Sequence, residues 1–187
     1  MQKTKTNQVR LNAGIWRSRI LKFPYAEGLR PTPDRVRQTV FNWLGQDLTG
    51  KNCLDLFAGT GAMGFEALSR NAKAVTMVEF FKPTFLALQQ NKAALAATSA
   101  KILHADAMQF LANNTQKFDV IFCDPPYNKN WLDKLLPLLS AHLAANGVLY
   151  VEAEYVLQDS AIWQVIKHGK AGNVYYHLLK LAHEQTN

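Results

Sequence analysis

Apolar runs alternate with segments of helical periodicity over most of the chain from residue 51 onward. Short apolar runs bounded by turn residues predict buried strands, whereas apolar residues spaced by three and four predict helices. Their alternation indicates βαβ units and therefore a mainly parallel sheet. The predicted strands cover residues 52–57, 74–79, 101–106, 118–126 and 147–154, and the predicted helices cover residues 61–72, 83–97, 107–113 and 131–145.

Both ends of the chain depart from this alternation. Residues 163–181 contain two strand-like runs around a Lys-Ala-Gly-Asn turn, which predicts a terminal hairpin. Residues 9–23 contain strand-like stretches that are broken between Asn12 and Gly14, so a second hairpin is predicted there. Residues 30–44 predict a helix that Thr32 or Asp34 caps, and Asn146-Gly147 predicts the end of the last helix. The apolar stripe predicted for the helix of residues 30–44 is Val36, Val40, Phe41 and Leu44.

Composition narrows the class of protein. A chain of 187 residues with 48% hydrophobic residues is long and apolar enough for one domain with a substantial core. No apolar run approaches the roughly 18 residues that span a bilayer, and no apolar segment follows the charged N-terminus as in a signal peptide. Cys53 and Cys123 lie in strand-like runs without metal-ligand spacing, which predicts reduced core thiols in a cytoplasmic protein.

The net charge of +7 is confined to the first quarter of the chain. Residues 1–51 hold ten Lys or Arg against three acidic residues, and the remaining residues are balanced. Such a segment is either a solvated surface or a phosphate-binding surface on a neutral domain. We predict a basic extension over residues 1–29, a hairpin that contacts RNA, followed by the main domain over residues 30–187.

A glycine loop follows the first strand of the predicted sheet. Its glycines, Gly59, Gly61 and Gly64, match the dinucleotide fingerprint, and Glu79 follows at the end of the next strand. Asp55 argues against a dinucleotide because its carboxylate would repel a pyrophosphate. A carboxylate at that position suits the ammonium and sulfonium groups of S-adenosylmethionine. We therefore expect Gly59 and Gly61 to approach this ligand and Gly64 to serve helix packing.

Two further carboxylates end predicted strands. Glu79 can accept hydrogen bonds from ribose hydroxyls, which does not discriminate between cofactors, and Asp106 can accept one from an adenine amino group. Either acid alone could be a solvated strand end. Because the carboxyl ends of parallel strands meet at one edge of a sheet, we expect both to line one ligand site with Asp55.

The fourth predicted strand runs into Asp124-Pro125-Pro126-Tyr127. The two prolines remove N–H donors and leave carbonyl oxygens, Asp124 adds an acceptor, and Tyr127 adds an aromatic face. Two acceptors beside an aromatic ring suit a planar group that carries an NH₂. Accepting both amino protons would orient the nitrogen lone pair for attack on a methyl donor and stabilise the charge that the nitrogen gains.

Together these motifs resemble the amino methyltransferases that use S-adenosylmethionine and an (Asp/Asn/Ser)-Pro-Pro-(Tyr/Phe) motif. More narrowly, the chain resembles the bacterial 16S rRNA (guanine(966)-N(2))-methyltransferases from about Val9 to Lys180. The segments that carry this narrower resemblance are residues 28–37, 40–44, 53–70, 150–154 and 170–176. The resemblance implies a Rossmann-like class I methyltransferase, an α/β fold with a seven-stranded, mostly parallel sheet whose last strand is antiparallel.

The resemblance also implies roles for residues. Asp124, Pro125, Pro126 and Tyr127 would form the catalytic motif, with Asp124 and the Pro125 carbonyl on the amine and Tyr127 against the base. The implied cofactor-binding residues are Thr32, Asp55, Phe57, Gly59, Gly61, Glu79, Asp106 and Ala107. The basic residues assigned to RNA are Arg10, Arg17, Arg19, Lys22, Arg30 and Arg35. Two departures are visible, since the family often has Gly at the position of Ser18 and Phe at the position of Tyr127.

The expected activity is methyl transfer from S-adenosylmethionine to guanine N2 in 16S rRNA, free or in a 30S particle, by a monomer without a metal or covalent intermediate. Three alternatives stay open from the residues. They are adenine-N6 methylation of RNA or DNA, methylation of a protein glutamine, for which Asn more often replaces Asp124, and a non-catalytic RNA-binding module of the same fold.

Overall fold

The structure, a computed structural model, describes residues 6–26, 29–126 and 130–182. Five helices and nine strands lie within these ranges. The strands are β1 (Thr6–Arg10), β2 (Ile20–Pro24), β3 (Asn52–Asp55), β4 (Ala74–Glu79), β5 (Ala100–His104), β6 (Phe118–Cys123), β7 (Leu143–Ala153), β8 (Trp163–Ala171) and β9 (Val174–Leu181). The helices are α1 (Asp34–Trp43), α2 (Ala62–Ser69), α3 (Lys82–Leu95), α4 (Ala107–Asn113) and α5 (Trp131–Leu139).

Seven strands form one twisted sheet in the order β5-β4-β3-β6-β7-β9-β8. Strands β5, β4, β3, β6 and β7 pair with one another in parallel, and β9 runs antiparallel to both β7 and β8. The predicted sheet, with its last strand antiparallel, and the predicted terminal hairpin are therefore confirmed. The chain reverses its direction of winding between β3 and β6, where open α/β sheets form a ligand crevice.

Apolar side chains alternate between the two faces of this sheet, which explains its two cores. On one face Cys53, Val120 and Phe122 pack with α1, α2, α3 and the N-terminal hairpin. On the other face Leu54 and Ile121 pack with α4 and α5. Both cysteines are buried and free. No helix within the described ranges has the length and apolar character needed to cross a bilayer.

The region after α5 differs from its prediction. The expected helix over residues 131–145 ends at Leu139, a 3-10 turn covers Ser140–His142, and β7 begins at Leu143. Leu143 already pairs with Phe118 of β6, so sheet pairing overrides the helical preference of this segment. Asn146, with φ of +61°, lies inside β7 near a shift in register, and the prediction that Asn146-Gly147 ends a helix was wrong.

The predicted capping of α1 was also wrong. Pro33 occupies the N-cap position, and no side chain caps the helix there. The Asp34 carboxylate instead binds Arg37 at 2.7 Å, and the Thr32 hydroxyl donates to Glu152 at 3.2 Å. Val36, Val40 and Phe41 are buried as predicted, and Leu44 is half-buried.

Strands β1 and β2 form the predicted N-terminal hairpin, a two-stranded antiparallel sheet of its own. Its inner face consists of Val9, Leu11, Leu21 and Phe23, which belong to the same core as α1, α2 and α3. Trp16 in the connecting loop packs against this core. Ser18 has φ of +68°, in the left-handed region, so the family's frequent glycine at this position has a backbone explanation.

A buried polar network binds the hairpin loop to α2. Glu66 accepts hydrogen bonds from the backbone N–H groups of Asn12 at 2.8 Å and Ala13 at 3.1 Å, and it pairs with Arg70. Ser69 accepts from the N–H of Trp16. These bonds satisfy backbone groups that would otherwise be buried without partners, so the loop conformation depends on α2.

Candidate active site

A cavity of about 360 Å³, counting its open mouth, lies at the carboxyl ends of β3 and β6. This is the point where the sheet reverses its winding, because β3 pairs with β4 on one side and with β6 on the other. The residues that line it are Arg30, Thr32, Asp55, Phe57, Ala58, Gly59, Thr60, Ala62, Met63, Phe122, Asp124 and Tyr150. The fold thus brings five residues of the predicted cofactor and catalytic sets, Thr32, Asp55, Phe57, Gly59 and Asp124, to one cavity.

The glycine loop has the backbone geometry that its sequence predicts. Gly59 and Gly61 have φ of +50° and +78°, a region that L side chains rarely adopt. Gly61 is the N-cap of α2, and a Cβ there would lie 2.6 Å from Leu88 Cδ2. The Gly59 N–H donates to Glu79 Oε2 at 2.9 Å, so the Glu79 carboxylate lies directly beside the loop.

Asp55 lines the cavity and is 4% exposed. Its Oδ2 accepts a hydrogen bond from the Gly64 N–H at 3.0 Å. Burial raises the pKa of Asp55 to about 7, with a further contribution from the negative charge of Glu79. Gly64 allows the close approach of α2 to β4, since a Cβ there would lie 2.7 Å from Met77 Cε. The interpretation of Gly64 as a packing glycine agrees with this geometry.

Glu79 and Asp106 lie on the neighbouring strand ends. Burial raises the pKa of Glu79, although three backbone N–H groups favour its charged form. Asp106 follows β5, which pairs with β4, and it caps α4 by accepting from the N–H groups of Met108 and Gln109 on Oδ1. Ala107 is the buried first residue of α4. Glu79 and Asp106 do not line the cavity, but they lie on the same edge of the sheet.

Asp124 directly follows β6 and is half-buried in the cavity wall. Burial raises its pKa well above the usual value, and the negative charges of Glu152 and Asp55 raise it further. Pro125 is buried and Pro126 is exposed. Tyr127, the predicted aromatic member of this motif, lies outside the described residues.

Tyr150 and Glu152 are among the residues at or beside the cavity that were not predicted from the sequence as site residues. Tyr150 lines the cavity, and its hydroxyl donates to Glu152 Oε1 at 2.7 Å. Both residues lie in segment 150–154, which carries part of the family resemblance. The missed signal was a carboxylate inside the apolar run of β7. Arg30, predicted to bind RNA, lines the cavity as well.

All six basic residues predicted to contact RNA are exposed. On the hairpin, Arg10 and Lys22 lie on the outer face with Gln8 and Ile20, opposite the face that joins the core. Arg19 donates a hydrogen bond to the Ala94 carbonyl at the end of α3. Arg37, one of the ten basic residues of the first quarter, is completely buried, so it contributes no charge to this surface.

The chemistry of the cavity fits S-adenosylmethionine. The cationic groups of such a ligand suit the carboxylates of Asp55 and Asp124, whose raised pKa values show the cost of gathering negative charge there. Gly59 lines the cavity, so a ligand bound there would lie against its backbone, and the Glu79 carboxylate lies next to it.

This fold and this site define the class of the protein as a Rossmann-like class I methyltransferase. The chain belongs to the family described as Conserved hypothetical protein 95, whose model matches residues 9–180. It is 39% identical to ribosomal RNA small subunit methyltransferase D of Escherichia coli K12, over 92% of this chain and 90% of the relative. It is 40% identical to the Haemophilus influenzae protein of the same name, over 91% and 93% of the two chains. The solved structure of the Escherichia coli protein yhhF superposes with a TM-score of 0.84 at 40% identity, covering 94% of this chain and 98% of that one.

Proposed function

We propose that this protein transfers the methyl group of S-adenosylmethionine to the exocyclic N2 of a guanine in small-subunit rRNA, guanine 966. The observation that supports the proposal is that Asp55, at the end of β3, and Asp124, directly after β6, line one cavity at the reversal point of the sheet. The family supports it, because the two curated relatives described above are named as small-subunit rRNA methyltransferases. The alternatives of glutamine methylation and of a non-catalytic module gain no support from these relatives.

S-adenosylmethionine supplies an electrophilic methyl carbon, and we assign its binding to the cavity and the adjoining strand ends. Asp55 and Thr32 would face its methionine part, and Gly59 and Gly61 would provide close backbone approach. Glu79 would accept from the ribose hydroxyls and Asp106 Oδ2 from the adenine amino group, since Oδ1 already carries both capping bonds. Phe57 and Ala107 would supply apolar contact.

The target amine is assigned to the Asp124-Pro125-Pro126-Tyr127 motif. Asp124 and the Pro125 carbonyl would accept the two N2 protons, which orients the nitrogen lone pair toward the methyl group. Pro126 would keep the backbone rigid, and Tyr127 would stack on the base. A guanine stacked within an RNA helix cannot reach this position, so the base must be unstacked or flipped.

The basic residues would hold the RNA backbone. The outer face of the hairpin supplies Arg10 and Lys22, and its loop supplies Arg17 and Arg19. Arg30 lines the cavity, and Arg35 is exposed in the first turn of α1. In this proposal residues 1–29 form the RNA-contacting extension, and residues 30–187 form the methyltransferase domain. The proposal takes the protein as a cytoplasmic monomer that acts on 16S rRNA or on the 30S particle.

The test is a transfer assay with radiolabelled S-adenosylmethionine on naked 16S rRNA and on 30S particles that lack endogenous methylation. Digestion to nucleosides should yield labelled N2-methylguanosine. Labelled N6-methyladenosine would replace the proposal by the adenine alternative, and absence of label from both substrates would contradict it. Comparison of the two substrates decides between free rRNA and the assembled particle.

A further inference from the structure

Glu152 occupies an unusual position for a carboxylate. It lies in β7, a strand buried along most of its length, and is 5% exposed. Its Oε1 accepts hydrogen bonds from the Tyr150 hydroxyl at 2.7 Å and from the Thr32 hydroxyl at 3.2 Å. Tyr150 and Thr32 both line the cavity. One buried oxygen atom therefore joins β7 to the segment that precedes α1, across the wall of the proposed active site.

Strand pairing brings Glu152 beside Asp124, because Cys123 of β6 pairs with Val151 of β7 and the two carboxylate residues directly follow this pair. Among the charged neighbours of Asp124, Glu152 raises the pKa of that carboxyl the most, ahead of Asp55. The titratable groups around Asp124 in the described part of the chain are Asp55 on β3, Cys123 on β6, Tyr150 and Glu152 on β7, and Arg30 before α1. Burial raises the pKa of the Cys123 thiol, so Cys123 stays neutral near pH 7.

We propose that Glu152 is a positioning residue of the methyl-transfer reaction, which fixes Thr32 and Tyr150 in the cavity wall and makes Asp124 an effective acceptor for the proton of the target amine. This inference rests on the proposed function, because that function supplies the amine. A carboxylate acts best as a proton acceptor when its pKa lies near the working pH rather than near 4. A like charge nearby raises the pKa in that direction.

The proton balance of the step is simple. The bond between the guanine N2 and the methyl carbon forms as the bond between that carbon and sulfur breaks, and the electron pair of the latter stays on sulfur. One N2–H bond then breaks, and its proton forms an O–H bond with the ionised Asp124. Asp124 subsequently releases this proton to solvent. Glu152 exchanges no proton in the step and acts through its charge and its hydrogen bonds, among them those from Tyr150 and Thr32.

The experiment separates charge from hydrogen bonding. Glu152→Gln removes the charge and retains an oxygen that can accept from both hydroxyls. Tyr150→Phe and Thr32→Val are the matched controls, because each removes one hydrogen bond and retains the charge. The pH profile of kcat/KM for rRNA methylation is measured for all four proteins, with folding checked by thermal denaturation.

We expect Glu152→Gln to shift the acid limb of the profile by about one unit toward lower pH. Tyr150→Phe and Thr32→Val should lower the plateau and leave the position of the acid limb unchanged. An acid limb that stays in place in Glu152→Gln overturns the inference, as does an equal shift in Tyr150→Phe. Loss of activity without a shift would show a purely structural role and also overturns it.

A second measurement requires no turnover. The side-chain ¹³C signal of Asp124, assigned through its loss in Asp124→Asn, is titrated in the ligand-free protein. Its pKa should fall in Glu152→Gln, and equal pKa values in the two proteins would overturn the inference. If wild-type protein methylates neither rRNA nor 30S particles, the proposed function fails, whereas the titration still tests the effect of Glu152 on Asp124.

Discussion

Two buried carboxylates, Glu66 in α2 and Asp55 at the end of β3, have opposite surroundings. Glu66 accepts from two backbone N–H groups of the hairpin loop and forms an ion pair with Arg70 at 2.9 Å. Asp55 accepts from the Gly64 N–H and faces a cavity with Asp124 on its wall. The Glu66 carboxylate is paired with the Arg70 cation, whereas the Asp55 carboxylate lies near two other carboxylates, Glu79 and Asp124.

We infer from this difference that Glu66 stabilises the fold, whereas Asp55 is positioned to bind a cationic ligand. A buried ion pair with additional hydrogen bonds costs little to keep, but removing one partner is expensive. The raised pKa values of Asp55 and Asp124 indicate that ionising both without a cation is unfavourable. In the proposed function, a methyl donor with an ammonium and a sulfonium group would relieve this cost on binding. Four variants test the comparison.

The largest effect is expected from Arg70→Ala. It leaves Glu66 buried without its cation and should lower the free energy of unfolding by about 3–5 kcal/mol, measured by urea denaturation. Lys51→Ala is the control, because Lys51 and Asp119 are 3.8 Å apart with the lysine half exposed. Such a pair contributes at most about 1 kcal/mol. If the two variants lose the same free energy of unfolding, the buried Glu66–Arg70 pair contributes no more to stability than the exposed Lys51–Asp119 pair.

The next effect concerns Asp124 and leaves the fold intact. Asp124→Ala removes the acceptor of the target amine, so kcat should fall about 10²- to 10³-fold with little change in cofactor affinity. Asp124→Asn keeps an acceptor oxygen but cannot take a proton, so we expect partial activity without the acid limb of the pH profile. Methylation by Asp124→Ala at the wild-type rate would contradict the assignment of this residue.

A smaller effect concerns the pH dependence of stability. Folded Asp55 keeps its proton up to a pKa of about 7, whereas an unfolded aspartate loses it above about 4. Its stabilising contribution is therefore complete below pH 4 and is lost as the pH rises through 7. From pH 5 to pH 8 the loss should be about 2.5 kcal/mol relative to Asp55→Asn, measured by denaturation at each pH. If the free energy of unfolding changes with pH equally in the two proteins, burial does not raise the pKa of Asp55.

The smallest effect concerns exposed charge. Arg17→Glu should make the dependence of RNA affinity on salt shallower by about 0.9 in log–log slope for a duplex contact, or about 0.7 for a single strand. Lys167→Glu on β8, the opposite edge strand from β5, makes the same change of charge and should leave the slope unaltered. Identical slopes for Arg17→Glu and the wild type would show that the hairpin loop does not contact phosphate.

Local patterns predicted most of the fold. Strand β4 covers residues 74–79 as predicted, because an apolar run with a clear end admits one interpretation. The start of β7 was missed since the residues around Ala144 favour a helix in isolation, and only their pairing with β6 makes them a strand. Pairing between distant segments is not visible in local periodicity, and this accounts for the misplaced end of α5.

The same limit applies to the site. Asp55 and Asp124 were predicted because each lies next to a recognisable motif at a strand end. Glu152 has no motif of its own, and its contact with Thr32 joins residues 120 positions apart. The role of Thr32 was likewise misjudged as capping, because the sequence does not show that its hydroxyl faces β7.

The buried Arg37 limits how this protein can be divided or recombined. Its guanidinium donates to the Arg10 carbonyl and the Asn12 side chain in the hairpin, and to the Thr32 carbonyl beside the cavity. A truncated chain that begins after the hairpin would leave this cation with part of its acceptors missing. Exchange of hairpins between relatives, as a route to new RNA preferences, therefore requires that the donor hairpin bring matching acceptors for Arg37. The hairpin and the segment before α1 therefore cannot be varied independently at these contacts.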